Sequence, residues 1–465
     1  MQFKRSKKDD SHHSIKSAKH LDLTKGPIAS TMLWFALPMI LGNLLQQCYN
    51  IADTWIVGRF LGSDALAAVG SAFSLMTFLT SILLGLCMGS GSLFSICHGQ
   101  KNMKRLKENV FGSFVLIAIF AVVLNAAALL FIDPILRLLQ IPDTIYTMMR
   151  EYLWIIFWGI FATFVYNFFA SLLRAVGNSK VPLLFLAVCA LLNIFLDILF
   201  VLVIPFGVAG AASATVISQY VSAIGIMIYT IIYAPHLLPQ RQHWHLRANE
   251  SKLILQFSFL TSLQQSIMNF GILMVQGLVN SYGTVVMAAF AAAVKIDAFA
   301  YMPVQDFGNA FSVFIAQNYG AANEQRIRDG IRKAIWIESL FSFCLSAVVC
   351  FFAKELMLLF IQPQETAIIA VGVQYLRIEG AFYIGIGTLF LLYGLYRAIG
   401  RPGMSVILTI FSLGTRVALA YMLSAVSWIG LQGIWWSVPI GWALADLVGL
   451  IYYRRCRKNL LPTAS

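Results

Sequence analysis

Charge is what this sequence lacks most. Asp, Glu, Lys and Arg make up 11% of its residues while 59% are hydrophobic, whereas a soluble globular chain carries about a quarter charged residues. From Met32 to Ala52 there is no charged side chain at all. That scarcity excludes an ordinary water-soluble enzyme or binding domain and places the chain among polytopic membrane proteins. Patterns for metal and disulfide chemistry are missing too. Seven cysteines (Cys48, Cys87, Cys97, Cys189, Cys344, Cys350, Cys456) are scattered, mostly in apolar segments, with no C-x-x-C pair and no Cys/His cluster. They read as small buried apolar residues. Neither H-E-x-x-H nor G-x-S-x-G occurs, and His98, at the inner end of a span, is the nearest any histidine comes to a span interior. An intramembrane enzyme would need such a motif, so the expectation is no enzyme and no cofactor. His12 and His13 lie in a polar N-terminal tail and read as solvated. That tail leads into a span too long for a signal h-region, so no cleavable targeting peptide is expected.

What is present is a series of apolar segments of about 20 residues or more. They fall near 31–57, 65–97, 109–132, 146–172, 181–204, 208–234, 253–281, 285–318, 334–353, 367–394, 403–426 and 430–453. Twelve spans put both termini on one side. Of 33 Lys and Arg residues, 26 then fall in the two tails and the connections on that side. Four (Arg59, Arg137, Arg150, Lys354) fall on the other side, and Lys295, Arg377 and Arg416 stay at membrane depth. Basic residues collect on cytoplasmic loops, so the expectation is a multi-pass protein of the cell membrane with both termini cytoplasmic. The net charge of +13 is then a topology signal, and nucleic acid is excluded as a partner.

The chain also repeats. At an offset of 221 residues HGQKNMKRLK (98–107) lies over YGAANEQRIR (319–328), and Gly62, Ala67 and Ala68 lie over Gly283, Ala288 and Ala289. At an offset of 223, LRAVG (173–177) matches YRAIG (396–400), and Gly207 and Gly210 match Gly430 and Gly433. Four matches in one order predict an all-α fold of two pseudo-symmetric six-helix bundles around a central cavity. The expected division is a polar tail (1–30), an N-terminal bundle (31–234), a cytoplasmic linker (235–252), a C-terminal bundle (253–453) and a basic tail (454–465). Duplicated bundles of even span number are a transporter architecture; a receptor or scaffold has no need of one.

Acids at membrane depth are costly and mark ion or substrate paths. Asp53 follows the charge-free run and lies near the outer end of span 1, where it is either wetted or a cation ligand. In span 5, Asn193 and Asp197 are four residues apart and share a helix face. Counted from the cytoplasmic end they sit roughly 20 and 26 Å up a core of about 30 Å. Thr215 of span 6 lies at a similar height. Two carboxylates with amide and hydroxyl oxygens suit Na⁺, or a shared proton. The repeat places Met274, Arg416, Ala420 and Val438 at the equivalent positions, so the polar set belongs to one bundle.

GPIASTMLWFALPMILGNLLQQCYNIADTWIVGRFLGSDALAAVG, LLRAVGNSK and AAVKIDAFAYMPVQDFGNAFSVFIAQNYGAAN together resemble the multidrug and toxic compound extrusion (MATE) family, over about Gly26 to Tyr453. The resemblance implies an antiporter that exports organic, often cationic and amphipathic compounds against inward H⁺ or Na⁺. In its DinF-like branch the YN-x-A-D acid of span 1, an Asn and an Asp of span 5 and a Thr of span 6 form the cation site. These map onto Asp53, Asn193, Asp197 and Thr215. The NorM-like branch has a carboxylate in span 7, which residues 253–281 lack. The wider superfamily includes flippases for lipid-linked precursors. Such a flippase would need a strongly basic cavity, and only Lys295, Arg377 and Arg416 are available for one.

For the second half, Glu379 is a candidate carboxylate, placed beside Lys295, with Asp297 and Asp306 as similar candidates. Glu338 and Asp446 read as near a helix end or wetted. Gln46, Gln47, Tyr49, Asn50 and Gln276 are polar residues within spans and candidates for the substrate path, with Lys295, Asp297 and Glu379. The expected partners are small organic molecules and the lipid bilayer, and the expected functional unit is a monomer.

Overall fold

A computed structural model describes residues 21–460 apart from Gln140 and 245–247. His12, His13 and residues 461–465 lie outside that set. In lipid no water is available to backbone N–H and C=O groups, so a spanning segment must bond internally. The described residues accordingly form helices: α1 (Ile28–Phe60), α2 (Ser63–Gly99), α3 (Met103–Leu130), α4 (Ile132–Leu138), α5 (Asp143–Ile156), α6 (Gly159–Ala175), α7 (Lys180–Asp197) and α8 (Gly207–Tyr233) in the first half. The second half holds α9 (Ala248–Asn280), α10 (Thr284–Gly320), α11 (Glu324–Phe351), α12 (Ala353–Leu358), α13 (Thr366–Gly380), α14 (Tyr383–Ala398), α15 (Pro402–Ser424) and α16 (Leu431–Leu460).

Nine of these helices are long and apolar enough to cross a membrane, and two bent pairs, α5 with α6 (42°) and α13 with α14 (50°), pass as broken spans. The sequence predicts 146–172 and 367–394 as continuous; the structure breaks both near their middle. The twelfth rod, α9, is 33 residues long but too polar to qualify. Its inner end carries Asn249, Glu250 and Lys252, and Gln264 and Gln265 near its middle are buried where the helix packs against α2 of the other half, so those two amides meet protein. It also begins inside the predicted linker. Pro38, Pro303 and Pro439 lie inside α1, α10 and α16. Pro182 instead sits in the first turn of α7, where its missing N–H costs little.

The repeat is written into the backbone. α2 and α10 are each 37 residues long and α3 and α11 each 28, at the 221 offset. Lys101 and Ala322, also 221 apart, both take φ of 53°, the two non-glycine residues with positive φ among those described. The next residues, Asn102 and Asn323, cap α3 and α11 by accepting from the N–H of Arg105 (3.0 Å) and Arg326 (3.1 Å). An asparagine oxygen satisfies one of the orphan donors of a helix start, which is why this loop recurs.

The halves meet at the end of the molecule that carries the basic loops. A Cβ on Gly99 would run into the carbonyl of Gln317, and one on Gly320 into the carbonyl of Ile96. These two contacts exchange under the 221 offset. Small residues permit such close approach of membrane helices. Higher up, the hydroxyls of Ser90 and Ser258 lie 2.8 Å apart, and Ser262 donates to the Ile82 carbonyl at 2.9 Å. The larger buried apolar cluster runs through the first half into the inner parts of α9, α10 and α14, while a second fills the outer part of the C-terminal bundle around Phe290, Tyr375 and Trp435.

Candidate functional site

Four residues of α1, Gln46, Tyr49, Asn50 and Asp53, follow the i, i+3, i+4, i+7 spacing of one helical stripe. Each is half-buried. Facing them, α7 ends at Asp197 and the chain continues as a π-helical turn, Ile198–Val203. Single π turns within spans occur frequently at functional sites. This one lies directly after the acid and packs on α1 and α8. Asp197 is fully buried and Asn193 is 1% exposed.

The carboxylates of Asp53 and Asp197 lie within hydrogen-bonding reach of each other. An ionised carboxylate only accepts, so this contact becomes a hydrogen bond when one of them carries a proton. Asn193 Nδ2 donates to Thr215 Oγ1 at 3.2 Å. That leaves Asn193 Oδ1, Asp53 Oδ1 and both Asp197 oxygens buried without a protein donor. Among the described residues no arginine or lysine pairs with either acid. Two unit charges about 4 Å apart repel by roughly 4 kcal/mol at an effective dielectric of 20. The arrangement therefore calls for a proton or a small hard cation. The structure brings together all four residues predicted for this cluster.

Tyr152 of α5 is a member that sequence reasoning missed. It is 7% exposed, and its phenol lies within the field of both acids and of Tyr49. Tyr49 in turn lies beside Gln46 and within the field of Asp53. Tyr152 lies about 100 residues along the chain from Asp53, and no spacing rule connects them. The candidates Gln47 and Asn50 lie on the same outer stretch of α1. Gln276 donates instead to Asn280 of its own helix at 2.9 Å.

The C-terminal bundle holds a contrasting set. Asp297 accepts from the Tyr383 hydroxyl at 2.7 Å and Glu379 from the Tyr375 hydroxyl at 2.8 Å. The two acids are in hydrogen-bonding reach of each other, and the charge of Arg416 reaches both. Lys295, predicted beside Glu379, is exposed instead. Two residues apart on α10, Lys295 and Asp297 face different ways, and the base is supplied by α15. Arg416 is the repeat counterpart of Asn193. The C-terminal acids thus have an internal counter-charge where the N-terminal pair has an amide.

Three other acids depart from their predicted settings. Asp306, 3% exposed, accepts from Asn43 Nδ2 at 2.6 and 2.8 Å and so bridges the halves. Glu338 and Asp446 are neither wetted nor at helix ends. They are 2% and 9% exposed, each in the middle of a long helix.

Known proteins share this architecture. The MatE family model matches residues 38–199 and 258–422, one block in each half. The chain is 30% identical over 439 residues to the probable multidrug resistance protein YpnP of Bacillus subtilis (strain 168), covering 94% of this chain and 97% of that one. It is 26% identical over 456 residues to the multidrug export protein MepA of Staphylococcus aureus (strain NCTC 8325 / PS 47), covering 95% and 97%. A solved structure described as the outward-facing conformation of a multidrug resistance MATE family transporter of the MOP superfamily superposes with a TM-score of 0.90 at 25% identity, over 96% of this chain and 100% of that one. With the family model matched in both halves and a relative aligned along nearly its whole length, the chain belongs to the MATE family and is a multi-pass membrane transporter, not an enzyme.

Proposed function

We propose that the chain is a multidrug exporter of the cell membrane that drives organic, cationic and amphipathic compounds outward by antiport with H⁺. The observation that carries this reading is the Asp53–Asp197 contact, which has no internal base while the repeat-related bundle has Arg416 beside its acids. A site lacking its own counter-charge is suited to taking one from solution. Asn193 and Thr215 hold the Asp197 side of the site, and Tyr49 and Tyr152 line it. The names of YpnP and MepA support the multidrug assignment. Gln46, Gln47 and Asn50 would face the passing compound, whose apolar and aromatic parts suit a Met- and aromatic-rich path. Asp297, Glu379, Gln276 and Lys295 belong to the C-terminal wall of that path.

Alternating access follows from the two halves (31–234 and 253–453) rocking about the 235–252 linker, as in other repeat-built transporters. The contacts named between the halves lie towards the basic-loop end, so this conformation is open outward if those loops and both tails (1–30 and 454–465) are cytoplasmic. Proton binding at Asp53 and Asp197 would favour the state that releases drug. Proton loss to the cytoplasm would favour drug binding. Coupling needs only that the two ligands prefer different states by a few kcal/mol. A monomer contains every part of this cycle.

Na⁺ is the second reading, supported by the four buried, donor-free oxygens on Asp53, Asp197 and Asn193. A lipid-precursor flippase has less support, because the bases at membrane depth are Lys295, Arg377 and Arg416, and the charge of Arg416 is directed at Asp297 and Glu379. The test is reconstitution in vesicles under an imposed pH or Na⁺ gradient with ethidium as the exported dye. The pH gradient alone should drive efflux, and Asp53→Asn should abolish it at equal protein level. Undiminished coupled efflux in that variant would sink the assignment, and efflux driven by the Na⁺ gradient alone would select the second reading.

A further inference from the structure

We propose that the segment leading into α1, residues 21–27, is a latch of the inner gate, closed by the guanidinium of Arg326 from the other half of the molecule. The inference rests on the alternating-access reading but not on the identity of the coupling ion or of the drug. The segment is built as a tight turn. Asp22 Oδ1 accepts from the N–H of Thr24 at 3.0 Å and from its hydroxyl, and the Lys25 N–H donates to the Asp22 carbonyl at 3.3 Å. An aspartate that holds the backbone two residues on is a recurrent turn device. Gly26 then takes a φ of +73°, which favours glycine, and Pro27 leads into the helix. The result turns the carbonyls of Leu23, Lys25 and Gly26 toward one point.

Arg326 of α11 fills that point. Its Nε donates to the Leu23 carbonyl at 3.2 Å, Nη1 to that of Gly26 at 2.8 Å and Nη2 to that of Lys25 at 2.6 Å. Asn318 Nδ2 of α10 adds a second bond to the Leu23 carbonyl at 3.2 Å. The Arg326 guanidinium also stands 5.4 Å from the centre of the Phe314 ring. The turn is tied to its own half as well. The Leu21 N–H donates to the Gly177 carbonyl, just past α6, at 3.3 Å, and the Leu21 carbonyl occupies the space that a Cβ on Gly177 would need. Leu23 is fully buried in the larger apolar cluster. A turn anchored in one half and gripped by the other must be released when the inner ends part.

The repeat identifies the grip as a device rather than a local accident. Arg105, 221 residues earlier, reaches across in the opposite direction: its Nε donates at 3.1 Å to Oε1 of Glu250, in the first turn of α9. Each half thus sends an arginine from its third span to the start of the other half's first span. Both arginines stand at the third position of their helices, where a cation opposes the helix dipole, so the helix itself gives no reason for either. The receptors differ. Arg105 meets one partly exposed carboxylate, a pair that salt screens. Arg326 meets three backbone carbonyls that do not titrate, in a geometry suited to a planar fork of donors. Arg326 is therefore the stronger latch.

The test reads conformation directly, without any gradient, on full-length transporter in nanodiscs. Distances would be measured between spin labels at Lys180 and Arg401, exposed residues at the inner starts of α7 and α15, with the exposed Cys48 and Cys344 replaced. R326Q should raise the ratio of inner-open to inner-closed molecules about tenfold, the scale of hydrogen bonds to a charged group. R326K keeps the charge but not the fork and should raise it less. D22A/T24A undoes the turn and leaves the guanidinium, so it should act in the same direction. Combined with R326Q it should add nothing, whereas R105Q should add in full. If R326Q does not fold, R326K and the turn variant carry the same expectation. An unchanged ratio in folded variants, with only a lowered thermal midpoint, would make Arg326 a structural contact and overturn the latch. Full additivity of R326Q with D22A/T24A would overturn it too. A single native distance at every pH, with or without ethidium, would fail the alternating-access reading along with the latch. Native distances that respond to pH, matched throughout by the variants, would overturn the latch alone.

Discussion

Asn193 and Arg416 occupy one position in two repeats, and the difference between an amide and a guanidinium sets the chemistry of each bundle. Placing a base beside the N-terminal pair should imitate the C-terminal one. Asn193→Arg is therefore expected to neutralise Asp53 and Asp197 internally and to abolish gradient-driven dye efflux while the protein still folds, as checked by reconstituted transport and size-exclusion profile. The reverse change is expected to be structural. Arg416→Ala removes the positive charge whose field reaches buried Asp297 and Glu379, leaving both acids without that counter-charge. A lowered thermal midpoint, partly restored by adding Asp297→Asn, would be the observation. Asp53, Asn193, Asp197 and Thr215 were legible in the sequence because polar groups are rare at membrane depth and depth can be counted along a helix. Tyr152 and the reach of Arg416's charge to Asp297 and Glu379 were not. Each depends on which face of one helix meets which face of another, and a one-dimensional spacing does not carry that.

Among the elements, α2 and α10 make the closest approach between the halves, and their crossing explains why the repeat was readable. Gly99 and Gly320 sit where the backbone of the partner helix leaves no space for a Cβ, and the turn that follows needs a positive φ and an asparagine cap. Those demands fix residue types at a constant offset, so they survive as a motif. The breaks between α5 and α6 and between α13 and α14 leave no such mark: neither break contains a proline, and the spans read as continuous. The crossing yields a contrast that can be measured. Gly320→Ala is expected to push the inner ends of α2 and α10 apart and to lower the share of molecules closed at that end, read by distances between spin labels on the α2–α3 and α10–α11 loops. Gly277→Ala, in the outer part of α9, meets nothing within 4 Å. It should leave those distances unchanged and stabilise the helix by about 0.5–1 kcal/mol.

For the molecule as a whole, the equilibrium between outward and inward states is set by what holds the halves together at the basic-loop end. Most of that contact is apolar packing and small-residue crossing, which is insensitive to ligands. The Asn43–Asp306 bridge differs, because it joins α1 of one half to α10 of the other through a buried acid with Arg174 of α6 in electrostatic reach. Asn43 lies ten residues before Asp53 on the same helix, so a change in α1 at the cation site acts on a helix that also carries the bridge. A hydrogen bond to a charged group contributes about 1.5–3 kcal/mol, which corresponds to a shift of roughly tenfold to a hundredfold in a two-state equilibrium. Asn43→Ala removes the donor and leaves Asp306 without it in the closed interface, so the outward-open state should lose population by that factor. Cysteine accessibility on the inner ends of α2 and α10 would rise, and drug efflux would slow even though Asp53 and Asp197 are intact. Asp306→Asn keeps a hydrogen-bonding partner for Asn43 and should shift the equilibrium less. If both variants retain the native accessibility pattern, the bridge is a passive contact, and the coupling between site and gate must run through packing of α1 on α7 and α10 instead.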